Sequence, residues 1–195
     1  MRIATRRAAG LDRAGWTDEL RGEVAGYFDG IAGEWHTRIS AHRTAVVTDA
    51  LSRGLGAIDV PAGPAVEVGS GIGTYSGLLA ERFGQVVAID LSLAMLKLAP
   101  AAPALRVQAD GARLPLRDGS AAAVVLINAF LFPSEVERVL SPAGALVWVN
   151  SSGEQTPIYL SVDDLVAGLP GEWTGTSSRA GEGLWCVLQR RVTRM

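Results

Sequence analysis

The sequence predicts an α/β fold: an open, largely parallel, doubly wound sheet with helices on both faces. Three observations predict it. From Ala65 onward, short apolar runs alternate with amphipathic segments, the pattern of strands joined by crossover helices. The first of these runs leads directly into a glycine-rich loop and a helix, "VEVGSGIGTYSG" at 66–77. A later run, "SAAAVVLIN", is apolar throughout, as a strand covered on both faces requires.

The elements follow in order. The Arg-rich N-terminus "MRIATRRAAGLDRAG" has no apolar core of the secretory type, and residues 1–16 read as a flexible, solvated arm. From Thr17 to Ala32 the apolar residues Leu20, Val24, Tyr27, Phe28 and Ile31 form the stripe of an amphipathic helix. A second helix is expected over about Trp35 to Leu55, with Trp35, Ile39, His42 and Val46 on one face. "GLGAIDVPAGP" breaks that pattern. This divides the chain into cap helices at 17–60 and a core at 61–195.

In the core, "AVEVG", "QVVAID", "ALRVQAD", "SAAAVVLIN" and "GALVWVN" read as successive strands. Between them lie the helices "GTYSGLLAERF", with Gly84 as its stop, "LAMLKLA", capped by Ser92 and ended by Pro100, and "SEVERVL". "SVDDLVAGL" is a further helix, capped by Ser161. "EWTGTSS" and "GLWCVLQRR" close the chain as an antiparallel pair around "RAGEG".

The bulk numbers bound the rest. A chain of 195 residues, 48% hydrophobic and 19% charged, suits one globular domain. Its net charge is −2 and its pI about 5.7, which speaks against nucleic acid as the main partner. No stretch approaches the roughly 20 apolar residues of a membrane span. Cys186 is the single cysteine. It excludes an internal disulfide, suits a reducing cytosol, and sits in "LWCVL" as a small hydrophobe. No metal site is expected.

The glycine loop carries the ligand question. A dinucleotide fingerprint spaces its glycines Gly-x-Gly-x-x-Gly. Here they fall at Gly69, Gly71 and Gly73, with Thr74 in the fingerprint's last place. Glu67 lies two residues before the first glycine, where a carboxylate sits poorly beside a diphosphate but suits a ligand with a cationic part. Asp90 and Asp110 end the next two strands.

Glu-x-Gly-x-Gly-x-Gly followed by these two acids closely resembles the class I S-adenosylmethionine-dependent methyltransferases, of the small-molecule kind. "VVAIDLS", "QADGARLPL" and "RVLSPAGALVWV" extend the resemblance over about Ala65 to Val149, with Gly111 and Ala143 departing from the commoner residues. The resemblance implies a Rossmann-like seven-stranded sheet of order 3-2-1-4-5-7-6 with the last strand antiparallel. It implies S-adenosylmethionine as cofactor, held by Glu67, Gly69, Ser70, Gly71 and Gly73 at its amino-acid end. Asp90 and Leu91 would take the ribose, and Asp110, Gly111 and Ala112 the adenine. "YFDGIAGEW" resembles the family's N-terminal entry and suggests Tyr27 and Trp35 as cover for the methionine end. Asn128, ending the fourth strand, would face the methyl group or the acceptor.

Methyl transfer from a sulfonium is an in-line displacement that needs proximity, orientation and exclusion of water, plus a base only where the acceptor carries a proton to lose. His36 and His42 are the only histidines, and His36 is the candidate base beside Asn128. Glu154, Tyr159 and Trp185 are further candidates for the acceptor pocket. The Asn-Pro-Pro-aromatic tetrad of nucleic-acid amino methylation is absent after the fourth strand. The expected partner is therefore a small-molecule acceptor, with no nucleic acid and no membrane, for a cytosolic monomer or homodimer. Two rival readings stay open: a non-catalytic S-adenosylmethionine-binding module, and an NAD-dependent oxidoreductase, although Lys97 lacks the Tyr at 93 that the latter would want.

Overall fold

The computed structural model describes residues 1–101 and 103–191. One sheet contains β1 Ala65–Val68, β2 Val86–Asp90, β3 Leu105–Gln108, β4 Ala121–Ile127, β5 Leu140–Asn150, β6 Trp173–Ala180 and β7 Gly183–Arg190, in the order β3-β2-β1-β4-β5-β7-β6. The first five strands are parallel, and β7 runs antiparallel between β5 and β6. This is the order that the resemblance implied. The helices are α1 Arg2–Ala8, α2 Asp18–Ile31, α3 Ala41–Asp49, α4 Ser76–Phe83, α5 Leu93–Leu98, α6 Pro133–Val139 and α7 Val162–Gly168. None of them is long and apolar enough to cross a membrane.

Period-two alternation along β4 sorts its residues onto two cores, because successive side chains of a strand point to opposite faces. Val124 and Leu126 join Val66, Val68, Ile89, Leu146, Trp148, Val136 of α6 and Leu165 of α7 on one face. Ala123, Val125 and Ile127 join Ala65, Val147, Trp185, Val46 and Val47 of α3 and Leu79 of α4 on the other. All seven β4 residues are buried. Cys186 lies in the first core, where burial pushes its thiol up to about 12. The expected caps form: the Ser92 and Ser161 hydroxyls accept the Met95 and Asp164 amides at 3.1 and 3.0 Å, and Gly84 ends α4 at φ 75°.

Two sequence expectations are corrected. Residues 1–16 are not a solvated arm. Residues 2–8 are helical, Ala4, Thr5, Ala8 and Ala9 are buried, and Ala9 belongs to the first core. Small side chains let this Arg-rich helix lie close to the protein. Nor is there one helix from Trp35 to Leu55. Residues Ala32–Arg38 form a 3-10 turn, Ile39 and Ser40 are extended, and α3 runs on into a π-helical turn at Ala50–Gly54. The break has a local cause: the Ser40 hydroxyl accepts the Arg43 amide at 3.2 Å and starts a new helix. The supposed face of that helix is thereby scattered. Val46 is fully buried, Ile39 is 44% exposed and His42 is exposed.

Parallel pairing puts the carboxyl ends of β1 to β4 along one edge, and the strand order reverses between β1 and β4. That reversal point is where open α/β sheets bind ligands. Helix α2 and the 3-10 turn cross above it.

Candidate functional site

The loop after β1 is built from backbone geometry that side chains resist. Gly69, Gly71 and Gly73 have φ of 71°, 56° and 70°, in the left-handed region that glycine adopts without cost. The Gly69 and Ser70 amides both donate to the Ile89 carbonyl, at 2.8 and 3.1 Å, which folds the loop over the end of β2. A Cβ on Gly69 would lie 2.7 Å from that of Ala129. One on Gly71 would lie 3.3 Å from the Trp35 indole nitrogen. The loop is therefore bare partly for its own packing and partly because an indole roofs it. Gly69→Ala is expected to destabilise the protein by about 1–3 kcal/mol, read as a loss of several degrees in Tm.

Three carboxylates meet this loop. Glu67, 2% exposed, points beneath it, where Ser76 Oγ donates to its Oε2 at 2.5 Å. Burial pushes the Glu67 carboxyl up to about 7; the Ser76 hydrogen bond opposes this and the nearby Asp90 charge adds to it. Asp90 Oδ2 accepts the Gly71 amide at 2.7 Å, and its Oδ1 accepts that of Ser92 at 2.8 Å. Burial raises its pKa as well, against those two backbone bonds, and Asp29 adds to the rise. Asp110 Oδ1 accepts the Ala112 amide at 2.9 Å, while its Oδ2 accepts the Trp16 indole N–H at 3.2 Å.

All three acids line one open cavity. Val24 and Phe28 of α2, with Trp35, Arg38 and Ile39, form its roof; Phe130, Phe132 and Asn128 close the β4 side. Asp29 fastens the roof to the sheet, accepting from Ser92 Oγ at 2.5 Å and from the Ala94 amide at 3.2 Å.

Of the residues singled out in the sequence, Glu67, Gly69, Ser70, Gly71, Asp90, Leu91, Asp110, Gly111 and Asn128 line this cavity. Gly73 and Ala112 do not. Gly73 lies behind the loop, and Ala112 contributes through its bond to Asp110. Tyr27 is corrected: it does not line the cavity and is 45% exposed, and Phe28, one position on, lines it instead. A helix turns about 100° per residue, so adjacent positions on a stripe separate at its edge. His36 is corrected too. It is exposed, with Nδ1 3.1 Å from the Gly33 carbonyl, and it does not line the cavity. His42 lies against the β6–β7 turn at Gly181. Trp185 is buried and donates to Asp49 at 2.7 Å, Tyr159 sits under Arg2, and Glu154 is exposed.

Asn128 is held unusually. Its φ is 51°, the one positive value at a non-glycine among the described residues. The Ser151 amide donates to its Oδ1 at 2.9 Å, and its Nδ2 donates to Ser151 Oγ at 2.8 Å. Asparagine tolerates this backbone better than most residues, and Ser151 locks the side chain. Sequence reading missed Trp16 and Ser76. Neither carries a local signal, since each is defined by a partner far along the chain.

Residues 66–148 match the family model described as "Methyltransferase domain". A search of curated proteins returned no match. Among solved structures, a SAM-dependent methyltransferase from Thermotoga maritima is 15% identical, with a TM-score of 0.62 over 84% of this chain and 98% of that one. A Sulfolobus solfataricus protein described as a type 11 methyltransferase is 19% identical, with a TM-score of 0.59 over 69% and 87%. A Haloferax volcanii protein solved in complex with the Trm112 methyltransferase activator is 20% identical, with a TM-score of 0.53 over 63% and 59%. The match thus spans 59% of that last relative's length. At these identities the likeness is one of fold. The domain match favours S-adenosylmethionine over the nicotinamide alternative.

Proposed function

We propose that this chain, whose residues 66–148 match a methyltransferase domain model, uses S-adenosylmethionine to transfer a methyl group to a small-molecule acceptor. The observation that carries this reading is the convergence of Glu67, Asp90 and Asp110, from three adjacent strands, on one roofed cavity beside a glycine loop.

The residues present fit that cofactor. Ser70 Oγ lines the cavity, buried and without a hydrogen-bond partner, so it has bonding capacity to offer a ligand. Glu67 and Ser70 would hold the cationic amino-acid end, Asp90 the ribose hydroxyls, and Asp110 the amino group of the base. Each carboxylate oxygen keeps a lone pair beyond the bond it already accepts. Bound there, S-adenosylmethionine supplies an already activated methyl group.

The chain's own part is positioning. Phe28, Trp35 and Ile39 exclude water from above, and the aromatic faces of the first two suit a sulfonium. Asn128, held by Ser151, presents a fixed amide at the end of β4. The small-molecule reading is supported by the roof, which leaves a bounded chamber, and by the net charge of −2.

A second reading, a cofactor-binding module without transfer, is favoured by one observation. Neither histidine lines the cavity. An acceptor that brings its own acidity or lone pair needs no such base.

Calorimetric titration with S-adenosylhomocysteine is expected to give a Kd of about micromolar order, with no comparable heat from NAD. Incubation with labelled cofactor and a panel of phenols, amines, carboxylates and carbon acids then tests transfer. Turnover with any of them removes the module reading. Tight binding with no turnover across the panel establishes it. Preference for NAD overturns both.

A further inference from the structure

The Arg-rich N-terminus has no place in the function so far, yet it is built into the site. Helix α1 docks beside α7. Arg6 Nη1 lies 3.3 Å from Asp164 Oδ2, the Arg2 guanidinium stacks 4.8 Å from the Tyr159 ring centroid, and Arg2 also donates to the Glu154 carbonyl. The Ala9 carbonyl comes so close to Gly168 that a Cβ there would lie 3.0 Å from it. The chain then turns at Gly10 and Gly15, both at positive φ, and crosses the carboxyl edge of the sheet to Asp110. Trp16 arrives there, half-buried, one residue before Thr17, whose side chain caps roof helix α2.

At that end of the cavity three aromatic rings meet. Trp16 lies 5.5 Å from Phe130, tilted, and 5.1 Å from Phe132, edge to face. Gly111 makes room for the cluster, since a Cβ on it would sit 2.7 Å from the Phe132 ring. Trp16, Phe130, Phe132, Asp110 and Gly111 all line the cavity, so the indole borders this space and does not fill it.

We propose that Trp16 is a positioning residue for the base: its indole N–H fixes the Asp110 carboxylate, and its ring, with Phe130 and Phe132, walls a slot for a flat aminopurine. This rests on the proposed function and extends it to the N-terminal strap. Asp110 already takes one donor on each oxygen, from Ala112 and from Trp16. Its plane is therefore set, and what remains is acceptor capacity alone. A ring with an exocyclic amino group can donate to it. A ring with a carbonyl in that place would oppose oxygen to oxygen.

The test uses Trp16→Phe and Trp16→Ala in the full chain, with folding checked by circular dichroism. The probes are S-adenosylhomocysteine and its deaminated form, S-inosylhomocysteine. Loss of a base–aromatic contact and of a hydrogen bond to a charge predicts that Trp16→Ala weakens S-adenosylhomocysteine by roughly 10- to 100-fold. Trp16→Phe, which keeps a ring, should lose about 3- to 10-fold. The ratio of Kd between the two probes should narrow in Trp16→Phe, a readout that mere packing would not move. The wild-type indole emission should change on binding by an increment that Trp16→Phe lacks. If Trp16→Ala fails to fold, Trp16→Phe carries the test. Unchanged affinity and ratio in Trp16→Phe, or tighter binding in either variant, would overturn the proposal. Failure of the wild-type protein to bind S-adenosylhomocysteine would instead overturn the transferase reading beneath it.

Discussion

Replacing Asp90 by alanine is expected to weaken S-adenosylhomocysteine binding by about 10²- to 10⁴-fold, the equivalent of two charge-assisted hydrogen bonds to ribose hydroxyls. A second effect adds to this. Asp90 ties the Gly71 amide to that of Ser92, so one side chain holds both the glycine loop and the start of α5. Through Ser92 it also reaches Asp29 and the roof. Without it the loop loses its anchor at the position Trp35 covers. Stability should respond far less, by about 1–2 kcal/mol. The two amides lose an acceptor, but a buried carboxylate that burial and Asp29 already penalise is gone. Asp90→Asn keeps one acceptor oxygen and should fall between. The measurement is calorimetric titration of the three proteins beside their melting curves. An alanine variant that binds normally would mean that Asp90 serves only the loop, and the ribose assignment would fall.

The sheet and the acids at its edge were legible because both are local patterns. "AVEV" and "VVAID" announce strands as short, mostly apolar runs between turn signals, and an acid at a strand end lands at the same edge in any parallel sheet. The glycine spacing was legible for the same reason, since positive φ at 69, 71 and 73 is a property of those residues themselves. What the sequence hid lies in competition between signals. Trp35, Ile39, His42 and Val46 fit a helical stripe, but Ser40 in their midst is a stronger helix start than the stripe is a helix interior. The α2 stripe also misleads in part. Val24 is its one buried member, and Phe28, one turn on, faces the cavity, so membership of the stripe does not by itself separate core from cover.

Other parts of the site were hidden because they are long-range. Trp16 meets Asp110 across 94 positions, and Asp29 meets Ser92 across 63. No periodicity reports such pairs. Arg2 and Arg6 at the N-terminus do stay exposed, as charge usually is, yet they are held by Tyr159 and Asp164 while Ala4, Thr5 and Ala8 pack inward. His36 was named for its chemistry alone. Nothing in the sequence placed it on the cavity side of its turn, and the structure puts it outside.

Glu67 yields the largest expected pH effect. Its carboxyl stands at about 7 in the folded protein against an ordinary 4.5. Below about pH 4.5 it is protonated in both the folded and the unfolded chain. Between 4.5 and 7 the unfolded chain releases the proton and the folded one keeps it. Stability therefore falls as pH rises through this window, by about 3 kcal/mol in all, and then levels. Glu67→Gln removes the titration and can still accept from Ser76. The variant should match the wild type near pH 4.5 and exceed it by up to about 3 kcal/mol near pH 8. Denaturant unfolding of both proteins from pH 4.5 to 8 measures the difference directly. Binding should show the opposite trend. A cationic amino-acid end placed at Glu67 favours the ionised form, so S-adenosylhomocysteine should bind more tightly as pH rises to 7 and should release a proton below it. Titrations in buffers of different ionisation enthalpy count that proton. Glu67→Gln should release none and bind more weakly at pH 8 despite its greater stability. A flat stability difference across the window would show that Glu67 is ionised in the folded protein throughout, and its carboxylate would then be a fixed anchor for Ser76 and not a group poised to exchange a proton for a ligand's charge.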